Sequence, residues 1–274
     1  MSARVAVVSG AGTGIGQSIA VRFGALGWSV GVGGRRLEPL AETVALVEQA
    51  GGRAFAHALD VTDATSVRAF FDAVSRELGS VDVVINNAAW GRYGPLQDRP
   101  PDEIHTEIAT KLTGGLYMAR EGILSMQAAG SGGDLVFITS VSAEDMYPHH
   151  LPYAAANAGV EHAAKTLRLE LEGSGIRVTV VRVGATIGTE FATNEIGSDT
   201  MMTAQDLWFR LGAMRHCGLQ DRDDVAAAVE GVVTLPPTHQ FELVVVTPTA
   251  PVGPLPVTQQ EYYEGMMRYP EAGT

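Results

Sequence analysis

Residues 5–16 read VAVVSGAGTGIG, and this stretch decides the fold. The apolar, mostly β-branched run at 5–9 predicts a buried strand, and the apolar periodicity of 15–26 predicts a helix. Glycines between a strand and a helix let the backbone approach a pyrophosphate, which binds the NH groups of the helix N-terminus. A merely flexible turn is the alternative reading. The strand–loop–helix order at the start of a βαβ pattern favours a dinucleotide site.

The same alternation continues along the chain. Further strands are predicted at 29–32, 54–59, 81–86, 135–139, 177–183 and 241–246, and further helices at 37–50, 64–78, 100–128 and 223–234, with one more helix that carries Tyr153. We therefore predict an α/β fold, a Rossmann-type doubly wound parallel sheet of about seven strands with helices on both faces. Residues 1–274 are expected to form a single domain, in which 184–221 lack a clean period and are interpreted as a substrate-loop insertion. The Pro-rich tail from Thr247 is expected on the surface or against another subunit.

The composition limits the classes of function. Hydrophobic residues make up 46% of the chain and charged residues 18%, which is enough for a large core. The net charge of −12 argues against a nucleic-acid or anionic-membrane surface. The single Cys217 cannot form an internal disulfide. With no long apolar segment at the N-terminus, a soluble, reducing, cytoplasmic location is expected.

The ends of the second and third predicted strands bear on the choice of nucleotide. Gly33-Gly34 is followed by Arg35 and Arg36, where a carboxylate would bind the ribose 2′-hydroxyl of NAD. An Arg accommodates a 2′-phosphate, so NADP is favoured over NAD. A guanidinium can also stack on adenine without choosing between the two cofactors, and a solvated helix start is the remaining reading. Asp60 and Val61 close the third strand.

The segment from 135 to 171 holds the candidate chemistry. A buried-type strand delivers Ser140, and a following helix presents Tyr153 and, one turn later, Asn157. A hydroxyl and a phenol placed in this way suggest proton transfer to or from a substrate oxygen. The phenol needs a nearby cation to bring down its usual pKa of about 10, and Asn157 carries no charge.

These motifs resemble those of the short-chain dehydrogenase/reductase family over residues 4–247. Its glycine motif matches Gly10, Gly14 and Gly16; its Asp-Val pair matches Asp60 and Val61; its Asn-Asn-Ala-Gly matches Asn86, Asn87 and Ala88, with Ala89 replacing the Gly. Its catalytic Ser and Tyr match Ser140 and Tyr153 at the usual spacing. The resemblance implies hydride transfer to or from nicotinamide, and a homodimer or homotetramer. The residues predicted to bind the cofactor are Gly10, Gly12, Thr13, Gly14, Ile15, Gly16, Arg35, Arg36, Asp60, Val61, Asn87, Ala88, Ala89, Tyr153, Asn157, Gly184 and Thr189.

The chain departs from the family at two catalytic positions. The Lys four residues after the Tyr is Asn157, and the Asn of the long helix aligns with Lys111. We interpret this as an exchange, with Ser140, Tyr153, Lys111 and Asn157 as the catalytic set. At the helical period, Lys111 shares a face with Ile104, Ile108, Gly115 and Ala119, which predicts a cation pointing into the pocket near Tyr153. The alternative is that Lys111 extends to the surface at the edge of this stripe.

A further departure follows the sixth strand, where Val183-Gly184 replaces Pro-Gly. Either Thr186 or Thr189 could contact the carboxamide, and we prefer Thr189.

Aromatic and Met residues on loops predict a roomy, mainly apolar pocket, although ordinary loop packing explains them equally well. They are Trp90, Tyr93, Met146, Tyr147, Met201, Met202, Trp208 and Phe209. His149 and His150 are expected at the loop surface, and no ligand spacing supports a metal site. The predicted function is NADP-preferring oxidation or reduction of a medium-sized, apolar or cyclic alcohol or ketone. There are two alternatives. One is a dehydratase, isomerase or cyclase with the short-chain dehydrogenase/reductase fold, and the other is a non-catalytic nucleotide-binding regulatory protein.

Overall fold

The computed structural model describes residues 4–191 and 198–268 and contains a parallel seven-stranded sheet. The strands are β1 Val5–Ser9, β2 Ser29–Gly34, β3 Arg53–Ala58, β4 Val83–Asn86, β5 Gly133–Ser140, β6 Ile176–Val183 and β7 Leu243–Val246. Their order in the sheet is β3-β2-β1-β4-β5-β6-β7. The order reverses direction at β1 and β4, so the carboxyl ends of these two strands form the crevice in which open α/β sheets bind ligands. The predicted Rossmann-type fold is confirmed.

Helices cover both faces of the sheet. They are α1 Gly14–Ala25, α2 Leu37–Gln49, α3 Ala64–Leu78, α4 Pro101–Ile108, α5 Gly114–Ala129, α6 Leu151–Glu170, α7 Asp199–Arg210, α8 Arg222–Val233 and α9 Gln259–Arg268. Residues of α1 and α8 complete the apolar core on one face, and residues of α3, α5 and α6 complete the core on the other. Strands β1 and β4 are buried along their whole length. This burial explains why their sequences read as continuous apolar runs rather than alternating ones.

The long helix predicted at 100–128 contains a π-turn. Between α4 and α5, residues Ala109–Thr113 form π-helical hydrogen bonds, and Lys111 lies at the centre of this turn. A π-turn adds a residue to one turn of the helix and so rotates the preceding stripe. As a result Glu107 is fully buried, whereas Ile108 is 36% exposed. The prediction that these residues share the inward face of the helix was wrong for Ile108. It was right for Lys111, Gly115 and Ala119, which are buried.

The C-terminal third contains more regular structure than its sequence period indicated. Helix α7 lies within 184–221, where Thr186–Ile187 and Gln220–Asp221 also pair as a short two-stranded sheet. In the tail, α9 buries Tyr262, which is 1% exposed. Tyr262 contacts Phe209 of α7 with their ring centroids 5.6 Å apart, so part of the tail packs on this chain's own fold. Within the described residues, no helix is long and apolar enough to cross a bilayer.

Candidate active site

The glycine loop between β1 and α1 has a shape that requires glycine. Gly10 and Gly14 have φ angles of 65° and 58°, in the left-handed region that other residues rarely adopt. A Cβ atom on Gly16 would lie 2.3 Å from the Gly10 carbonyl oxygen. The first turn of α1 has no acidic residue, and the side chain of its N-cap Thr13 makes no capping hydrogen bond. The positive helix end therefore has no carboxylate of its own to compete with a bound phosphate, and the cradle fits the pyrophosphate of a dinucleotide.

The end of β4 is tied to the glycine loop. The Asn87 side-chain amide donates to the carbonyl oxygens of Ser9 and Gly10, at 3.0 and 3.2 Å. The Ser9 hydroxyl accepts from the backbone NH groups of Asn87 and Ala88, each at 3.1 Å. Ala89 follows and is exposed. Ser9 holds the β1 and β4 ends together, a role that we did not predict, because a Ser at a strand end has no distinctive sequence signal.

The outer end of the crevice carries the two arginines. Arg35 and Arg36 are both exposed, and Arg36 forms an ion pair with Glu190. At the end of β3, the Asp60 carboxylate accepts a 2.7 Å hydrogen bond from the Thr62 hydroxyl. This bond lowers the pKa of Asp60, and the nearby charge of Arg35 lowers it further. Arg35 follows β2 and Asp60 follows β3, which are neighbouring strands of the sheet.

Thr189 lies beside the glycine loop. Its Cα is 3.3 Å from the position of a Cβ on Gly14. Thr186 is already engaged, because its hydroxyl donates to the Gly184 carbonyl at 2.9 Å and accepts from Gln220 at 3.1 Å. These contacts favour Thr189 as the residue available to a ligand.

Ser140, Tyr153 and Asn157 converge at the carboxyl end of β5. Ser140 is the last residue of β5, and Tyr153 lies in the first turn of α6. Burial raises the pKa of Tyr153 to about 12; hydrogen bonds from Asn157 and Ser140 oppose the rise, and the Glu107 charge adds to it. The Asn157 amide donates to the Tyr153 carbonyl oxygen at 2.9 Å, while its Oδ1 is buried without a partner among the described residues. The phenol is therefore held in its protonated form.

Lys111 is buried and does not extend to the surface. It is 5% exposed, and its ammonium donates to the Ile138 carbonyl oxygen of β5. Burial lowers the pKa of Lys111 to about 8. Within the described part of the chain, Lys111 is not among the charges that shift the pKa of Tyr153. The exchange of roles between Lys111 and Asn157 therefore stays a prediction.

An aromatic wall surrounds Tyr153. His150 stacks on its ring with centroids 4.5 Å apart and planes 16° from parallel, and Phe191 lies 4.8 Å away. Tyr93 and Trp208 pack around His150, at 4.7 and 6.1 Å. Trp208 also donates to the Pro148 carbonyl oxygen at 2.7 Å, which joins α7 to the loop before Tyr153. We did not predict Phe191, because a lone Phe in an aperiodic segment gives no indication of its neighbours.

Two predictions about this wall were wrong. His150 is 5% exposed rather than on the loop surface, because the aromatic rings enclose it, and its burial lowers its pKa to about 3. Met146 is 84% exposed and Met202 is also exposed, so neither contributes to an enclosed apolar pocket. No cluster of His, Cys, Asp or Glu suited to a metal ion occurs in residues 4–191 and 198–268.

A buried ion pair supports the wall from α4. Glu107 and Arg99 bond at 2.9 Å with almost no exposure of either side chain. Glu107 also accepts from the backbone NH of Arg92 at 2.6 Å, which fixes the loop after β4. Sequence reasoning missed this pair because the π-turn decides which residue of the helix faces inward.

The fold and this site are typical of one class of protein. It is the class of dinucleotide-binding oxidoreductases that have a Ser and a Tyr at the carboxyl edge of the sheet. The family profile described as "short chain dehydrogenase" matches residues 4–198. A curated relative, "3beta-hydroxysteroid dehydrogenase 1" of Eggerthella lenta, is 33% identical over 260 residues, which cover 88% of this chain and 97% of the relative. "Sulfoacetaldehyde reductase" of Chromohalobacter salexigens is 32% identical over 88% of this chain and 92% of its own length. The chain belongs to the short-chain dehydrogenase family and is an NAD(P)-dependent oxidoreductase.

Solved structures agree with this assignment. An alcohol dehydrogenase from the archaeon Thermococcus sibiricus, complexed with 5-hydroxy-NADP, superposes with a TM-score of 0.76 at 26% identity and covers 89% of this chain and 96% of its own. A metagenomic short-chain oxidoreductase in complex with NADP superposes with a TM-score of 0.74 at 28% identity, over 90% of this chain and 98% of its own.

Proposed function

We propose that the protein is an NADP-preferring ketoreductase or alcohol dehydrogenase for medium-sized, mainly apolar or cyclic substrates, with Tyr153 as general acid or base. The observation that carries the proposal is the convergence of Ser140 and Asn157 on the Tyr153 phenol beneath an aromatic wall. A bound nicotinamide supplies or accepts the hydride. The chain's residues bind the substrate oxygen, move its proton and exclude water.

Each polar residue has a separate task in this proposal. The Ser140 hydroxyl hydrogen-bonds the reacting oxygen, and Tyr153 donates the proton in reduction or accepts it in oxidation. Asn157 holds the nicotinamide ribose, for which its unpartnered, buried Oδ1 is suited. Lys111 provides the site's positive charge from inside the core, next to β5. A phenol that keeps its proton at neutral pH favours reduction.

The preference for NADP is supported by the ends of β2 and β3. Arg35 and Arg36 provide two guanidinium groups, and no carboxylate terminates β2 to bind a ribose 2′-hydroxyl. The NADP and 5-hydroxy-NADP named with the two solved structures agree with this preference.

The aromatic wall supports an apolar, cyclic substrate. The rings of His150 and Phe191 contact the Tyr153 ring, and Tyr93 and Trp208 pack on His150. Flat rings pack well against aliphatic or aromatic ring systems. The relative named as a hydroxysteroid dehydrogenase is consistent with this shape.

The partner that we propose for the outer surface is a second copy of the chain. An apolar groove between α5 and α6 is lined by Leu116, Ile123, Leu124 and Leu167, and two of these leucines are 44% exposed. A homodimer or homotetramer would cover it. Sedimentation of the wild type and of Leu124→Glu tests the proposal; an oligomer that the substitution leaves intact would contradict it.

The test of the function is net cofactor turnover. Purified protein is incubated with NADPH or NADH and a panel of cyclic and linear ketones, and consumption of the reduced nicotinamide is followed by its absorbance. Turnover that prefers NADPH and cyclic ketones, and that is lost in Tyr153→Phe, supports the proposal. Product without net cofactor use would indicate a dehydratase or isomerase, and tight NADPH binding without any product would indicate a nucleotide-binding regulator.

A further inference from the structure

No carboxylate of the described residues forms an ion pair with the Lys111 ammonium. It lines a small cavity beneath the sheet's carboxyl edge, together with Ser9, Asn86 and Ala88. Apart from Lys111, no ionisable side chain lines this cavity in the part of the chain that the structure describes. Asn86 is polar and uncharged, and both of its amide atoms are buried without partners among the described residues.

The carboxylates on the elements around Lys111 are engaged elsewhere. Asp60, beside the lining residue Val61, accepts from Thr62. On α6, Glu161 bonds Arg182 and Thr139.

On the lysine's own helix, Glu107 is paired with Arg99. Tyr153, the other titratable group of α6 near the site, is protonated at neutral pH. The positive charge of Lys111 is therefore balanced by no neighbouring acid among the described residues.

The Lys111 ammonium and Ser140 are held by the same strand. Lys111 is bonded to the carbonyl of Ile138, which precedes Ser140 by two residues on β5. At about 3.3 Å per residue, the strand separates these two residues by about 7 Å. Ser9 and Ala88 line the same cavity. They also hydrogen-bond to each other where β4 meets the start of the glycine loop. Lys111 and Ser140 are thus both held by the carboxyl half of β5, the strand end at which a nicotinamide that exchanges hydride beside Tyr153 would bind.

We propose that the Lys111 ammonium makes this chain bind the reduced, uncharged nicotinamide more tightly than the oxidised, positively charged one. The inference rests on the proposed function, since it needs a nicotinamide beside Tyr153. Two unit charges roughly 10 Å apart in a protein interior repel strongly enough to change affinity by on the order of tenfold. The oxidised ring meets this repulsion and the reduced ring does not. Because more of the protein then carries NADPH than NADP⁺, this preference favours reduction of the substrate over oxidation.

Lysine is the residue that makes such a preference adjustable by pH. The chain has 19 basic residues, and only Lys111 and Lys165 are lysines. An arginine would stay charged at every accessible pH, whereas a buried lysine can release its proton. Burial lowers the pKa of Lys111 to about 8, so the preference should fade above that pH. Lys165 is exposed on α6 and provides a matched control.

The experiment measures dissociation constants for NADPH and NADP⁺, by calorimetry, in the wild type, Lys111→Met and Lys165→Met. We expect the wild type and Lys165→Met to favour NADPH by about tenfold more than Lys111→Met does. This excess should fall towards zero as the pH rises from about 7 to about 9.5. The same ratio of the two constants in all three proteins would overturn the inference. Failure of both cofactors to bind the wild type would instead overturn the proposed function.

A second measurement needs no variant. In wild-type protein labelled with ¹³Cε-lysine, the two lysines give two signals that can be titrated separately. By reciprocal linkage, a tenfold preference requires the pKa of Lys111 to be about one unit lower with NADP⁺ bound than with NADPH bound. The signal of Lys165, which is exposed, is the internal control and should be the same in both complexes. Equal pKa values of Lys111 in the two complexes would overturn the inference even if Lys111→Met does not fold.

Discussion

Replacement of Lys111 by Met should change how the stability of the protein depends on pH. The folded chain keeps this ammonium away from water, which lowers its pKa from 10.5 to about 8. In the unfolded chain the lysine is hydrated and returns to its ordinary value. Between these two pKa values the unfolded state binds more protons than the native state, so the free energy of unfolding rises with pH. Below about pH 8 both states are charged and the full penalty for burial is present.

The size of this change in the free energy of unfolding follows from the pH range between the two pKa values of Lys111 that can be measured. Each pH unit between the two pKa values contributes about 1.4 kcal/mol. From about pH 8 to about pH 9.5, wild-type protein should therefore gain about 2 kcal/mol from Lys111. The gain is absent in Lys111→Met, because its side chain does not titrate. Above about pH 10 the raised pKa of Tyr153, about 12, opposes the gain in the wild type, but Tyr153 lowers the stability of the variant equally, so its contribution cancels in the difference.

The assay is urea unfolding of the cofactor-free protein at a series of pH values. The free energies of the wild type and of Lys111→Met are subtracted at each pH, which cancels every group that the two share. Lys165→Met, an exposed lysine changed in the same way, should follow the wild type. Parallel curves for wild type and Lys111→Met up to about pH 9.5 would refute the reasoning that this ammonium is buried and charged at neutral pH.

Three further changes test other parts of the site. Gly16→Ala should weaken dinucleotide binding in titration calorimetry and destabilise the fold by about 1–3 kcal/mol, since its Cβ would lie 2.3 Å from the Gly10 carbonyl oxygen; unaltered affinity would contradict the tight cradle. Glu107→Ala should cost about 3–5 kcal/mol in urea unfolding because it leaves the buried Arg99 with only its longer, 3.4 Å ion pair with Glu103, whereas a loss near zero would mean that the pair is solvated. Alcohol oxidation, which needs the phenolate, should accelerate with each pH unit above neutrality because the pKa of Tyr153 is raised to about 12; a rate that levels off near neutral pH would show that a cation acidifies the phenol.

The sheet and the nucleotide cradle were predictable because their signals are local. Buried parallel strands read as apolar runs, and the turn at Gly10 and Gly14 requires left-handed backbone that glycine readily adopts. The order of these elements along the chain then fixes which strand ends meet. For this reason Ser140, Tyr153 and Asn157 could be placed at one edge from sequence.

The burial of Glu107 and His150 and the direction of the Lys111 side chain depended on contacts that no local sequence pattern encodes. The π-turn around Lys111 shifts the inward face by a residue, so Glu107 rather than Ile108 is buried. His150 is buried because α7 brings Trp208 onto its loop, a contact between segments far apart in sequence. The direction of the Lys111 ammonium, towards the Ile138 carbonyl, likewise depends on the packing of a helix against β5.

The most direct test of the account is transfer of deuterium from nicotinamide-deuterated NADPH to a cyclic ketone. Mass spectrometry of the product alcohol reports whether the label has reached the carbinol carbon. We expect one deuterium per product with wild-type protein, and a rate about 10²- to 10⁴-fold lower in Tyr153→Phe at unchanged NADPH affinity. Unlabelled product, or an equal rate in Tyr153→Phe, would contradict the claim that this site reduces a carbonyl with Tyr153 as the proton donor.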